Sequence, residues 1–292
     1  MEAQASDLSF FGSGHATGFC TLDFRRMGRF RRVADRVRPH VQRRGWDVLH
    51  FRVRPHVQRR GWDVLHYPGS NFDHARSRVL ERLRVDLVVD VGANTGQYAK
   101  RLRGHGYQGK ILSFEPMSRE YSELVAATVS DRGWTAERLG LGAEAGELQI
   151  NIAGNSISSS LLPMLARHEA CAPDSRYVGT EMVPVARLDE VAREAVAGAS
   201  APHLKIDTQG YEASVLDGAT ALLDLIISVE LEMSLVPLYD GQELLGEMLE
   251  RLTRRGFSLR TLSPGLVDVR PGRRCRLTGF SFDPEAAERR RP

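Results

Sequence analysis

From residue 68 onward the sequence alternates short apolar runs with stretches of helical length, and that alternation restricts the fold more than any other property of the chain. After the turn signal Pro68-Gly69-Ser70-Asn71, a helix over 74–83 leads into an apolar strand, Leu87-Val88-Val89-Asp90-Val91. A helix over 98–103, a strand over 110–114, a helix over 119–129 and a strand over 136–139 follow, with a polar-turn hairpin expected around 148–152. Further strands are read at 183–188, 204–206 and 226–231, with helices at 213–223 and 242–254. Strands separated by helices of this length need crossover connections, which produce a mostly parallel sheet covered on both faces. The expected fold class is α/β, a doubly wound mostly parallel sheet, with 256–262 and 277–282 as a closing antiparallel strand pair.

Composition narrows the alternatives. A 42% hydrophobic content is enough for a sizeable core and excludes global disorder. Cys20, Cys171 and Cys275 lie far apart and make neither a zinc ribbon nor a disulfide framework. No run of about 18 apolar residues occurs and the N-terminus lacks the pattern of a signal peptide, so a cytoplasmic protein is expected.

The charge is uneven. Thirteen arginines stand against Asp35 and Asp47 between Arg25 and Arg60. Within that region 36–50 is repeated identically as 52–66, and Phe51 is echoed by Tyr67, a tandem unit of 16 residues. Two units are too few for a solenoid, so 1–66 is read as a basic extension carrying a tolerated surface insertion, 67–284 as the main domain and 285–292 as a basic tail. The alternative is a basic arm for nucleic acid or an anionic membrane. Aromatic residues at stacking intervals are missing from it, and each unit carries a proline that would break a helix.

In doubly wound sheets ligands bind beyond the carboxyl ends of the strands. The first such junction reads Asp90-Val91-Gly92-Ala93-Asn94-Thr95-Gly96. Gly92 and Gly96 permit backbone conformations and close approaches that a Cβ would block. A dinucleotide site wants G-x-G-x-x-G, whereas here the middle position is Asn94 and the last glycine comes one residue early. An acid two positions before the first glycine suits an ammonium group better than a diphosphate. The second junction, Ser113-Phe114-Glu115-Pro116, ends a strand with a carboxylate able to accept hydrogen bonds from both hydroxyls of a ribose. Together the two junctions point to S-adenosylmethionine, with Asp90, Gly92, Ala93, Asn94, Thr95, Gly96, Glu115 and Pro116 as its binding residues.

These segments, with Leu204-Lys205-Ile206-Asp207-Thr208-Gln209-Gly210-Tyr211-Glu212, Val215-Leu216-Asp217-Gly218-Ala219 and Glu230-Leu231-Glu232-Met233-Ser234-Leu235-Val236-Pro237-Leu238-Tyr239, resemble the FkbM-type methyltransferases over roughly 67–268. The resemblance implies a Rossmann-like class I fold and methylation of a hydroxyl, often on a sugar of a polyketide, glycolipid or exopolysaccharide. Asp131-Arg132-Gly133-Trp134 and the 234–239 segment look most like actinobacterial and mycobacterial versions acting on cell-envelope glycolipids. The chain departs from the family pattern at 275–282, where a polar Asp-containing segment is usual.

Transfer of a methyl group from sulfonium to oxygen is an in-line displacement in which positioning supplies much of the rate, and the alcohol needs a proton acceptor within hydrogen-bond reach. Asp207, ending the 204–206 strand, is the first candidate for that base, with His203 as a second. A lone His at a strand entrance is more often structural. Glu212 either orients substrate or is a first-turn carboxylate favoured by the helix dipole. Glu230 and Glu232 leave one face of their strand and form either an acidic wall for sugar hydroxyls or, with Asp207, oxygen ligands for a divalent cation, although no metal is expected. Lys205 should pair with a carboxylate or contact substrate, and 155–160 is a loop or a hydroxyl-rich lid. The expected partner is a small-molecule or glycolipid acceptor, with peripheral membrane association an option and no stable nucleic-acid partner. The competing readings are a nicotinamide-dependent reductase, which lacks the glycine spacing, a nucleic-acid-binding or RNA-modifying protein, and an inactive family member.

Overall fold

The computed structural model of the chain describes residues 19–22, 64–67, 72–264 and 276–282. In chain order its first half holds β1 (Phe19–Leu22), β2 (Val64–Tyr67), α1 (Phe72–Arg82), β3 (Leu87–Val91), α2 (Gln97–Gly104), β4 (Lys110–Phe114), α3 (Ser118–Thr128), β5 (Trp134–Glu137), β6 (Gly140–Leu141) and β7 (Gly146–Ala153). The second half holds α4 (Ala166–Cys171), β8 (Tyr177–Ala186), α5 (Leu188–Val191), α6 (Arg193–Ala197), β9 (Pro202–Ile206), α7 (Glu212–Asp217), β10 (Ser228–Ser234), α8 (Leu245–Arg254), β11 (Ser258–Pro264) and β12 (Arg276–Phe282). Among the described residues, nine strands form one sheet in the order β2-β1-β11-β12-β10-β9-β3-β4-β5. The five strands from β10 to β5 are mutually parallel. β11 and β12 form the expected antiparallel closing pair.

Both faces of the sheet are covered, and the alternation of side chains along each strand divides the core in two. Leu87, Val89 and Val91 pack with Leu204, Ile206, Leu231 and the buried stripe Leu245, Met248, Leu249 and Leu252 of α8. Val88 faces the other way, against Leu80 of α1, Leu102 of α2 and Leu124 of α3. α8 is a helix because its apolar residues recur at three- and four-residue intervals, with Glu247 in the first turn and Arg251 and Arg254 in the last, matching the helix dipole. β3 lies between β4 and β9, and the chain winds outward in opposite directions from these two neighbours. That reversal opens a crevice at the carboxyl ends of β3 and β9.

Two elements differ clearly from the sequence reading. The hairpin expected around 148–152 is a single strand, β7, paired antiparallel to β8, and with β6 they form a separate three-stranded sheet. β7 buries only Ile150 and Ala153, too little apolar surface for a place inside the main sheet. The helix expected over 213–223 stops at Asp217 with Gly218 as its C-cap. The departure at 275–282 does not disrupt the sheet: β12 pairs with β10 from Ser228↔Phe282 to Ser234↔Arg276, and also with β11.

Two strands come from the N-terminal region. β1 joins the sheet beside β11, with Cys20 opposite Leu262, and β2 pairs with β1 from Phe19↔Tyr67 to Leu22↔Val64. The division expected at residue 67 falls on the last residue of β2, which is the end of the second repeat unit. The rest of both units lies outside the described residues. Deleting 52–67 places the identical Val48-Leu49-His50, followed by Phe51, directly before Pro68. The melting temperature and the affinity for S-adenosylhomocysteine should then stay nearly unchanged, whereas deleting 36–67 removes both versions of the strand and should lower the melting temperature. Thermal unfolding of the two deletions beside the full chain checks this.

Candidate active site

The crevice at the reversal point is a cleft of about 560 Å³, within the range of small-ligand sites. Its floor is the loop after β3. Gly92 has φ +73°, and a Cβ there would sit 2.0 Å from the carbonyl oxygen of Asp207, so the β3 and β9 loops can touch only through glycine. Asn94 is also left-handed, at φ +48°. Its side-chain oxygen accepts from Thr95 N–H and from Gln97 Nε2, both at 2.9 Å, which compensates the turn locally.

Glu115 ties this loop to the end of β4. Its carboxylate accepts from the backbone N–H of Asn94 at 2.8 Å and of Met117 at 3.0 Å. Burial pushes the Glu115 carboxyl up to about 7, although the two N–H donors pull the other way. The acid therefore changes charge near neutral pH at the wall of the cleft. Met117, Leu139, Leu141 and Ile150 add an apolar surface beside it. Gly92, Ala93, Asn94, Glu115 and Pro116 line the cleft as expected of cofactor contacts.

Asp90, Thr95 and Gly96 do not line it. Asp90 is fully buried, and the ammonium it orients is the protein's own: Lys205 Nζ lies 2.8 Å from its Oδ1. The cause is strand register, which sets Asp90 opposite Lys205 and Lys205 opposite Glu230 across β3, β9 and β10. Burial would lower the Lys205 pKa, but Asp90 and then Asp207 hold it above its usual value. Lys205 also donates to the Gly92 carbonyl at 3.0 Å, securing the floor of the cleft. Thr95 accepts from Lys100 Nζ through its carbonyl, and Gly96, at φ +83°, caps α2 beneath Trp134. These two residues shape the turn.

Of the catalytic candidates, Asp207 lines the cleft and His203 and Glu212 do not. His203 is wholly buried, and burial lowers its pKa to about 4. Its Nε2 is 3.1 Å from the Tyr98 hydroxyl and its Nδ1 is 2.8 Å from Ser228 Oγ, a structural histidine within the sheet. Glu212 accepts from the backbone N–H of Thr208 at 2.9 Å and of Gly210 at 3.2 Å, so it shapes the loop that carries Asp207. Glu230 and Glu232 both line the cleft. Glu230, however, is held by Arg76 at 2.7 and 2.8 Å and by the Tyr98 hydroxyl at 3.0 Å. Arg76 is itself buried between the Phe72 and Tyr98 rings. An acid paired in this way is a wall of the fold. Among the described residues no three His, Cys, Asp or Glu side chains gather closely enough to hold a metal ion, and the cation site considered for Asp207, Glu230 and Glu232 is not formed.

The segment 155–160 covers the cleft: Ser158, Ser159 and Ser160 are buried in its lining, and Asn94 Nδ2 donates to Ser156 Oγ at 3.3 Å. Arg76, Tyr98, Gln209 and Tyr239 had no role in the sequence reading. For Gln209 a signal existed, since it precedes a glycine one turn after the strand-ending Asp207. For Arg76 none did, because its partner lies 154 residues away.

No curated protein matches the chain. Similar solved structures include an rRNA methylase from Streptococcus thermophilus, at 14% identity and a TM-score of 0.41, covering 73% of this chain and 97% of that one. Magnesium protoporphyrin IX methyltransferase from Synechocystis PCC 6803 with bound SAM is similar at 12% identity and a TM-score of 0.39, covering 72% and 76%. The Methyltransferase FkbM domain matches residues 90–259, a span that contains the glycine loop, Glu115, Asp207 and the covering segment. The chain therefore belongs to the FkbM methyltransferase family and is an S-adenosylmethionine-dependent methyltransferase.

Proposed function

We propose that the chain methylates a hydroxyl group, that of a sugar on a glycolipid or similar metabolite, with Asp207 as the general base. The observation that supports this is the position of Asp207: its backbone touches the Gly92 turn and the residue lines the same cleft as Glu115. The residues present fit the cofactor, since a buried carboxylate beside an apolar wall suits a ribose and an adenine ring. When bound, the cofactor supplies an electrophilic methyl group on a positively charged sulfur. Asp207 accepts the proton of the attacking hydroxyl, Lys205 fixes the floor, and 155–160 limits water. Among the described residues no helix is long and apolar enough to cross a membrane. A lipid-linked acceptor would be met at a membrane surface, where the Arg-rich region favours an anionic leaflet. The test is methyl transfer from labelled S-adenosylmethionine to neutral glycosides, glycolipid extracts and total RNA in parallel. Label in RNA alone would overturn the proposal.

Cofactor recognition gives a second expectation. Glu115→Ala should weaken S-adenosylhomocysteine binding by about 1.5–3 kcal/mol for each charge-assisted hydrogen bond lost, and NAD should not bind either protein. Because Glu115 titrates near 7, its accepting, ionised form is depleted as the pH falls. Affinity of the unaltered chain should therefore drop between pH 8 and pH 6, while Glu115→Ala should show a flatter profile. Calorimetric titration at several pH values reads both effects, and tight NAD binding would contradict the assignment.

A further inference from the structure

Gln209 occupies an unusual position. It is a non-glycine residue in the left-handed region, φ +57°, and it is buried. Its side-chain amide donates to Asp207 Oδ1 at 2.7 Å and to Glu232 Oε2 at 2.6 Å, so both N–H bonds of one NH₂ group go to carboxylates. Its amide oxygen accepts from the Tyr239 hydroxyl at 3.0 Å, and that hydroxyl lies 2.9 Å from the Ser158 carbonyl. Its backbone carbonyl accepts from Ser160 Oγ at 2.8 Å. One residue thus connects the end of β9, strand β10, the 237–240 segment and the covering segment. Strained backbone that persists in a cleft is over-determined by its surroundings, and here every polar group of the side chain is used.

We infer that Gln209 is a positioning residue, a neutral clamp that holds the Asp207 and Glu232 carboxylates side by side in the cleft. Two carboxylates sharing a site repel when both are ionised, and donors to the charged form offset that repulsion. An amide can donate to both without adding charge. Lys205 on β9 faces Asp207 from the sheet, and Glu230 with Arg76 closes the β10 side. Glu212 is turned into the loop backbone beneath, and Tyr239, with His168 edge-on to its ring, lies above. The inference extends the reading of Asp207 as the base, because the clamp sets the direction in which that carboxylate points.

The test uses the full chain without ligand. Gln209→Met keeps the length of the side chain and removes both donors. Its loss of melting temperature relative to the parent should be at least twice as large at pH 8 as at pH 4.5, which lies near the ordinary carboxylate range. The sign follows from the donors: they favour the charged forms, so their contribution is present at high pH and fades on acidification. Titrations common to both proteins, such as that of Glu115, cancel in the difference. Adding Glu232→Gln to Gln209→Met returns an amide beside Asp207 and removes one charge, so the pH-dependent part of the loss should disappear. A loss equal at both pH values, or one that Glu232→Gln leaves unchanged, overturns the clamp. So does a Gln209→Met chain unfolded at both pH values together with its double variant. Affinity for S-adenosylhomocysteine, measured on the parent, reports the cofactor reading separately, and turnover of Asp207→Asn reports the base.

Discussion

Asp207→Asn should lower methyl transfer by about 10²–10⁴-fold, the range for loss of a general base, while S-adenosylhomocysteine affinity stays within about threefold of the parent. The asymmetry arises because Asp207 is joined to the cofactor loop through its backbone, which the substitution leaves intact, with Asp207 N–H still donating to the Val91 carbonyl at 3.1 Å. Only the side chain changes, from a proton acceptor to an amide. Initial rates on an acceptor that the parent methylates, with calorimetry on the same preparations, separate the two quantities. Turnover at the parent rate would remove Asp207 from the chemistry. A matching loss of cofactor affinity would instead make it a structural member of the floor. Performing the rate measurement with EDTA, and then with added divalent cation, tells a base from a metal ligand.

The largest loss of stability is expected for Glu230→Ala. It leaves the Arg76 guanidinium, 6% exposed and in contact with two rings, without its principal counter-charge. Breaking a buried ion pair on one side costs about 3–5 kcal/mol, on the order of 10 °C in melting temperature for a domain of this size. Tyr98, whose hydroxyl donates to the same carboxylate, loses its acceptor as well. Replacing both partners, Arg76→Met with Glu230→Met, should recover most of the loss, since neither charge of the buried pair is then stranded. Should Glu230→Ala keep its melting temperature and lose only turnover, Glu230 would belong to acceptor recognition after all.

The parts of this protein readable from its sequence are those governed by local pattern. β3 is five buried residues in a row, and its glycine loop is needed for a contact between two strand ends, so both show in composition and spacing. The position of Glu115 in the cleft wall is legible for the same reason, at a strand end of fixed distance from the loop. The structure sets Asp90, His203 and Glu230 against neighbouring elements, which the sequence does not show, because a carboxylate or imidazole at a strand end looks the same in sequence whether it faces ligand or a neighbouring strand. Which it faces depends on register, and the Asp90–Lys205–Glu230 row exists only once β3, β9 and β10 are aligned. Arg76 closes that row from a helix whose sequence gives no hint of a buried charge. The small sheet of β6, β7 and β8 was missed because the partner of β7 arrives more than twenty residues later, after the covering segment and α4.

The N-terminal strands bear on how the protein should be handled. β11 has β12 on one side and β1 on the other, so a shortened version beginning at Tyr67, where the repeats end, would strip β1 and most of β2 from that margin. A row of backbone N–H and C=O groups would then face solvent on a strand whose Leu259 and Leu262 are buried in the core, the arrangement that templates pairing between molecules. Trimming the Arg-rich region to improve behaviour in solution would have the opposite effect, and self-association that grows with protein concentration would be its sign.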